Sequence, residues 1–336
     1  MSLVCRVRLD SRMRHTSYEL TECPICGSSD SVEIADRDAI RRERELLWEF
    51  HGSRLRDGVP TARLMDRVTF SQEPPLRLAR CVRCDHIYRN PRERGEALSA
   101  DYNDDDLDER VLHTLFETQR AAYAAQALRL TGAAGGKGHG IEVGSYAGGF
   151  LAAARDEGWT FDGVDIGARA AAFASRQGFN VTVGEITGVD ASHQYDAVAI
   201  WNTFEQLYAS RAAVAAARRL LRDNGTFVVR VPNGGFYGRW RRRLDGPMSA
   251  LARRLLIHNN LLTFPYRQGF AARSLTRLLK QNEFEIVRVF GDTLVPVADQ
   301  WTTVFGAAEE RVVKRVERLV QHGWSAPWVE VYARAT

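Results

Sequence analysis

The sequence predicts an α/β protein: a doubly wound parallel sheet preceded by a small zinc-binding module. Two observations carry this. From Gly140 onward, short apolar strands alternate with amphipathic helices, a pattern that demands a sheet covered on both faces. Ahead of that region two C-x2-C pairs, Cys23/Cys26 and Cys81/Cys84, offer four thiolates to one tetrahedral ion. The expected organisation is a flexible arm over 1–20, a zinc-binding module with a helical insertion over 21–100, a linker and helix over 101–135, and an α/β domain over 136–336 with a lid insertion over 236–265.

Composition bounds the answer before any motif is read. The 336 residues are 45% hydrophobic and 26% charged, so disorder cannot dominate the chain. No signal peptide pattern opens it, and no run of eighteen apolar residues occurs, so a soluble cytoplasmic protein without a membrane partner is expected. The 46 basic residues against 42 acidic ones are nearly all arginine, with lysine only at Lys137, Lys280 and Lys314. With the abundant Ala and Gly this reads as the coding habit of a GC-rich genome, and nucleic acid is not expected as a partner. Five cysteines in a reducing compartment point to metal rather than disulfides.

Within the module, Gly27 follows the first cysteine knuckle, and the matched spacing at Cys81/Cys84 completes a closed structural site for zinc. A redox reading fails because neither pair opens a helix in a βαβ pattern. The long segment between the knuckles must carry structure of its own. Residues 39–50 read as a charged helix that packs through Leu46, Leu47, Trp48 and Phe50. Cys5 lies in the arm and is assigned nothing.

A helix with Leu112, Leu115, Phe116, Ala122 and Tyr123 at helical spacing leads to a glycine cluster at 132–140. Strands are then expected over 141–144, 161–165, 180–183, 195–201 and 226–231, with helices over 149–157, 168–177 and 209–222. In such a sheet, ligands bind at the carboxyl ends of the strands, where the chain order reverses. That places the chemistry at Gly144-Ser145-Tyr146-Ala147-Gly148-Gly149, with Asp165 ending the second strand as an acceptor for a ribose diol. A dinucleotide fingerprint needs glycine where this turn has Tyr146, because a side chain there blocks the pyrophosphate. A cofactor without phosphates tolerates the tyrosine, and Glu142 suits a cationic aminoacyl group.

These residues resemble the class I S-adenosylmethionine-dependent methyltransferases, specifically a bacterial branch with an N-terminal pair of C-x2-C knuckles. The resemblance rests on Glu142-Val143-Gly144-Ser145-Tyr146-Ala147-Gly148, Gly163-Val164-Asp165-Ile166, Tyr195-Asp196-Ala197-Val198 leading to Phe204-Glu205-Gln206-Leu207, and the segment from Arg219 to Asn233. It implies a Rossmann-like methyltransferase sheet with a reversed final strand, S-adenosylmethionine as cofactor, and structural zinc. It further implies that Gly144, Ser145 and Gly148 line the methionine part, Asp165 holds the ribose, Ile166 packs beside the adenine, Glu185 lies near the adenine amine and Asn202 closes the pocket. The family's usual Glu-His is Glu205-Gln206 here, which removes an imidazole base.

Methyl transfer from a sulfonium needs alignment and dryness more than acid–base help. Where a proton must leave the acceptor, the candidates are Glu205 and His258, with Tyr208 and Tyr266 as pocket walls. The segment 236–258, with Arg239, Arg241, Arg242, Arg243, Arg253 and Arg254 against the single acid Asp245, is expected as a helical lid whose arginines clamp an anionic acceptor or present a solvated face. The branch includes sugar C-methyltransferases, but those carry a further C-terminal domain for which this chain is too short. The expected acceptor is therefore a small molecule or a sugar or glycan precursor, a nucleotide-linked sugar among them. The alternatives are an RNA methyltransferase and a non-catalytic cofactor-binding protein.

Overall fold

The computed structural model describes residues 18–60, 77–93, 109–190, 195–262, 267–293, 302–320 and 322–336. Cys5, Tyr266, the acidic run 101–108 and the first 17 residues of the expected arm lie outside them. Tyr18–Glu19, within that arm, is instead a strand, β1, paired antiparallel with β5 (Arg92–Glu93).

The cysteine region forms an antiparallel sheet of β2 (Ser31–Ala35), β3 (Leu78–Cys81) and β4 (Ile87–Arg89). A fourth strand, β11 (Gln268–Gly269), comes from far along the chain and pairs with β4. The module is thus completed by the α/β region rather than standing alone. Between the knuckles, α1 (Arg37–Gly52) starts where the Asp36 carboxylate accepts from Ala39 N at 2.7 Å, an N-cap that satisfies an otherwise orphaned donor. It buries Ile40, Glu43, Leu47 and His51, and of the four packing residues read from sequence only Leu47 is fully enclosed.

The central sheet has seven strands: β6 (His139–Val143), β7 (Thr160–Asp165), β8 (Val181–Val183), β9 (Tyr195–Trp201), β10 (Leu221–Pro232), β12 (Phe284–Asp292) and β13 (Trp328–Ala335). Their order is β8-β7-β6-β9-β10-β13-β12, parallel except that β13 runs antiparallel to both β10 and β12. The strand side chains alternate between two cores. Val198, Ile200, Phe227 and Val229 face α5 (Ser210–Leu220) and α8 (Ala272–Lys280). Ala197, Ala199, Trp201 and Val228 face α2 (Glu109–Ala134), α3 (Gly149–Glu157) and α4 (Ala168–Arg176). The helix read as part of a linker, α2, therefore covers the sheet, and its Arg120 holds Asp156 of α3 through two bonds of 2.6 and 2.9 Å.

Two insertions leave the sheet at its carboxyl edge. After β10 come α6 (Gly234–Arg241) and α7 (Ser249–His258); after β12 comes α9 (Val304–Val320), which the sequence reading did not anticipate. The expected lid is bolted to the cysteine module: Phe236, Tyr237, Leu256 and Ile257 share a core with Ile40, Leu47, Leu78 and Ile87. Arg241 pairs with Glu43 of α1 at 3.0 Å.

Leu47→Ala removes a fully enclosed side chain from this shared core and is expected to cost about 2–5 kcal/mol. A fall in the urea midpoint at unchanged m-value checks it; an unaltered midpoint rejects the shared core.

Candidate functional site

The chain order reverses between β6 and β9, so a crevice opens past Val143 and Trp201 at their carboxyl ends. On the β6 side, Gly144 N and Ser145 N donate to Val164 O at 2.8 and 3.4 Å, folding the glycine turn onto β7. Gly144 has φ +73°, and a Cβ there would lie 2.4 Å from Thr203 Oγ1, so only glycine fits between the two loops. Tyr146 and Asn202 also take left-handed backbone, at φ +46° and +55°, which costs non-glycine residues about 1–3 kcal/mol and concentrates strain at this edge. The turn is latched by Asp165, whose Oδ2 accepts from Tyr146 N and Oδ1 from Gly167 N, both at 2.7 Å. Each oxygen keeps a further lone pair for a diol. Burial raises the Asp165 carboxyl, and these two N–H bonds partly oppose the rise.

Glu142 and Glu205 enter the same region as buried carboxyls. No other residue supplies a hydrogen-bond partner to Glu142 Oε2, to either oxygen of Glu205 or to the buried Ser145 hydroxyl. Burial, and then the charge of Asp165, pushes Glu142 well above the usual carboxylate range. Glu205 is pushed up to about 8 by burial, opposed in part by its own backbone N–H and by the Arg230 charge. Both act on Tyr123 of α2, whose hydroxyl accepts from Asn202 Nδ2 at 3.0 Å and is itself raised by burial.

Sequence reading took Tyr123 only as a packing residue and missed the group that holds Asn202. Arg230 of β10, buried, donates to Asn202 Oδ1, to Asp292 Oδ2 at 2.7 Å and to Thr293 O at 3.0 Å. Beside it Arg129 forks onto Glu330 at 2.6 and 2.9 Å. The four charges balance, as burial requires. The available signal was Arg230 itself, an arginine inside the otherwise apolar run 227–232.

The cysteines meet beside the cysteine sheet, where Cys81 ends β3. Their four Sγ atoms all lie within 4.8 Å of one another, with Cys23–Cys84 at 3.6 Å and Cys26–Cys81 at 3.5 Å. The two knuckles repeat one backbone design: Gly27 N and Asp85 N return to Cys23 O and Cys81 O, and both residues have left-handed φ, +66° and +60°. The hydrogen bond shared between Cys23 and Cys84 lowers Cys23 to about 5 and raises Cys84.

Compared with known proteins, residues 115–289, just over half of the chain, match the family model for a methyltransferase domain. The chain belongs to that family. It is an S-adenosylmethionine-dependent methyltransferase with a class I sheet. Solved structures with a similar fold include an S-adenosylmethionine-dependent methyltransferase, a possible histamine N-methyltransferase, from Thermotoga maritima, 16% identical over 68% of this chain and 97% of that one, TM-score 0.45. Another is an S-adenosylmethionine-dependent methyltransferase from Archaeoglobus fulgidus, 19% identical over 66% of this chain and 99% of that one, TM-score 0.43. No curated protein matches the chain.

The methyltransferase does not gather every residue singled out in its sequence. His258, read as a candidate base, is buried against Phe50 of α1 and lies 3.7 Å from Glu309 of α9. Desolvation and the Lys314 charge lower it to about 4, so it is a neutral packing residue at a three-helix junction. Tyr208 donates to Glu19 at 2.8 Å and anchors β1. Glu185 is exposed; Gly184 N bonds Asp165 O at 2.8 Å and so sets it beyond the second strand. Ile166 is half-buried next to Asp165, and Gly148, φ +85°, opens α3. Of the arginines expected to clamp an anion, Arg241 and Arg254 are engaged by Glu43 and Glu309.

Glu205 supplies a pH prediction. With its carboxyl raised from 4.5 to about 8, the folded protein holds a proton through that window which the unfolded chain has released. This group therefore makes stability fall as pH rises from about 4.5 to 8 and adds no slope above that. Urea unfolding across this range should show a shallower decline in Glu205→Gln than in the wild type, and equal slopes would refute the raised carboxyl.

Proposed function

We propose that this methyltransferase moves a methyl group from S-adenosylmethionine to a small-molecule or sugar/glycan-precursor acceptor in the β6/β9 crevice. The observation that carries this is a set of buried carboxyl oxygens that no other residue satisfies, Glu142 Oε2 and both of Glu205, beside a glycine turn latched by Asp165. A buried polar atom left unpaired is costly unless a ligand completes it, and unpaired carboxyls suit a ligand with ammonium and sulfonium charges.

In this reading Glu142 takes the aminoacyl ammonium, Gly144, Ser145, Tyr146 and Gly148 line the methionine chain, and Asp165 accepts the ribose hydroxyls. Ile166 and Glu185 flank the adenine. Asn202, fixed between Arg230 and Tyr123, holds the far wall of the crevice. The bound cofactor supplies an already activated methyl group. The chain's part is to align the acceptor and exclude water; a cation bound beside Glu205 would draw off the proton that burial holds there, leaving a carboxylate to receive one from the acceptor.

The cysteine cluster fits zinc. Metal–sulfur bonds of about 2.3 Å in a tetrahedron imply S···S separations of about 3.8 Å, close to the 3.5 and 3.6 Å contacts found. Bound there, the ion holds the module's two knuckles together and has no open position for chemistry.

Calorimetry with S-adenosylhomocysteine should show binding to the wild type, weakened about tenfold or more in Asp165→Ala through loss of hydrogen bonds to a charged acceptor. Absence of any affinity in the wild type sinks the reading. Labelled-methyl transfer into fractionated host metabolites then identifies the acceptor. For the metal, purified protein should carry zinc in equal proportion to chain, and Cys81→Ser should lose most of it; a zinc-free wild type rejects the assignment.

A further inference from the structure

Helix α9 presents a face that the methyl-transfer chemistry does not use. Phe305, Val312, Val316 and Leu319 are 90, 63, 53 and 71% exposed, and their spacing places them in one stripe along the helix. Arg311, Arg315 and Arg318 flank this stripe on a single side. None of the three acids in α9 is exposed: Glu309 is engaged by Arg54 and Arg254, Glu310 is half-buried, and Glu317 is buried against Lys314 and Asn259.

We propose that this face of α9 docks peripherally on an anionic lipid bilayer. An apolar stripe beside arginines, its one neighbouring acid Glu309 already engaged by Arg54 and Arg254, is what lets a helix lie in the headgroup region, its apolar side chains inserted and its guanidinium groups on lipid phosphates. The 17-residue helix is about 25 Å long and convex, so it offers no groove to a peptide. A second copy fits poorly. Antiparallel pairing about a two-fold axis sets the arginine flank against itself, and parallel pairing sets it against Glu309, already engaged by two arginines. No helix among the described residues is long and apolar enough to cross a membrane, so the contact is a surface one. It departs from the expectation of no membrane partner, which rested on the lack of a spanning run, a criterion an amphipathic helix never meets.

The proposal does not rest on the methyl-transfer reading, and its test needs no substrate. The full chain is floated with vesicles of phosphatidylcholine alone and of an equal mixture with phosphatidylglycerol, at low and raised salt. It should float with the mixed vesicles only, and less so as salt rises. Arg315→Gln and Arg318→Gln should each weaken partitioning about fivefold, and Phe305→Asp with Leu319→Asp should abolish it while the thermal midpoint and S-adenosylhomocysteine affinity hold. No flotation with mixed vesicles, or flotation indifferent to Phe305→Asp and Leu319→Asp, overturns the proposal. Self-association lost in those same variants, seen by sedimentation without vesicle binding, assigns the face to a second copy and overturns it too.

Discussion

The constraint on which the site depends is the burial of Glu142 and Glu205 with oxygens that no other residue satisfies. Elsewhere the chain answers buried charge with charge: Arg230 and Arg129 meet Asp292 and Glu330, Arg89 and Arg267 meet Glu93, and Lys314 meets Glu317. In the crevice it does not. Carboxyls so placed are driven to hold their protons, and the strained backbone at Tyr146 and Asn202 falls in the same place. Stability is given up locally and recovered from the two apolar cores that clamp the sheet.

The cysteine module belongs to that clamp. Its sheet is closed by β11, and Gln268 of that strand receives a hydrogen bond from Ser210 at 3.0 Å and donates to Leu207 O. Leu207 ends the turn that carries Glu205. Cys23, Cys81 and Cys84 share one core with Phe204 and Phe270, whose rings stack at 4.7 Å. Order at the knuckles is thus transmitted through backbone pairing and aromatic packing to the loop after β9, and a boundary drawn near residue 100 cuts across a single packed unit.

Legibility in the sequence followed the range of the interactions. Each βα unit announced itself by local periodicity, so β6, β7 and β9 fall within two residues of expectation, while β10 begins five residues early, at Leu221, in what reads as the end of the preceding helix; the doubled knuckle spacing predicted a cysteine cluster that the fold assembles from distant segments. What could not be read was pairing between remote segments. β11 is two residues long and has no pattern of its own. Helix α9 breaks the usual rule that the apolar face is buried: its inner side is plugged by Lys314 and Glu317, and its outer side carries the apolar stripe, so periodicity alone gives the wrong orientation. His258 looked accessible because α7 follows the fifth parallel strand of the sheet, and only the arrival of α1 and α9 encloses it.

The topology also explains why one edge of the molecule gathers so much. β6, β7, β9, β10 and β12 all run the same way, so the segments that leave their carboxyl ends, the glycine turn, the Asp165 and Glu205 loops, α6 with α7, and α9, emerge on one side. The other edge receives the returns, as at Gly138 and Gly158, which have little room to elaborate. An insertion after β10 or β12 therefore leaves the sheet at the same edge as the crevice. Because α6 and α7 are fastened to α1, and α9 to α7 through Lys314 and Glu309, the wall they form is rigidly joined to the sheet.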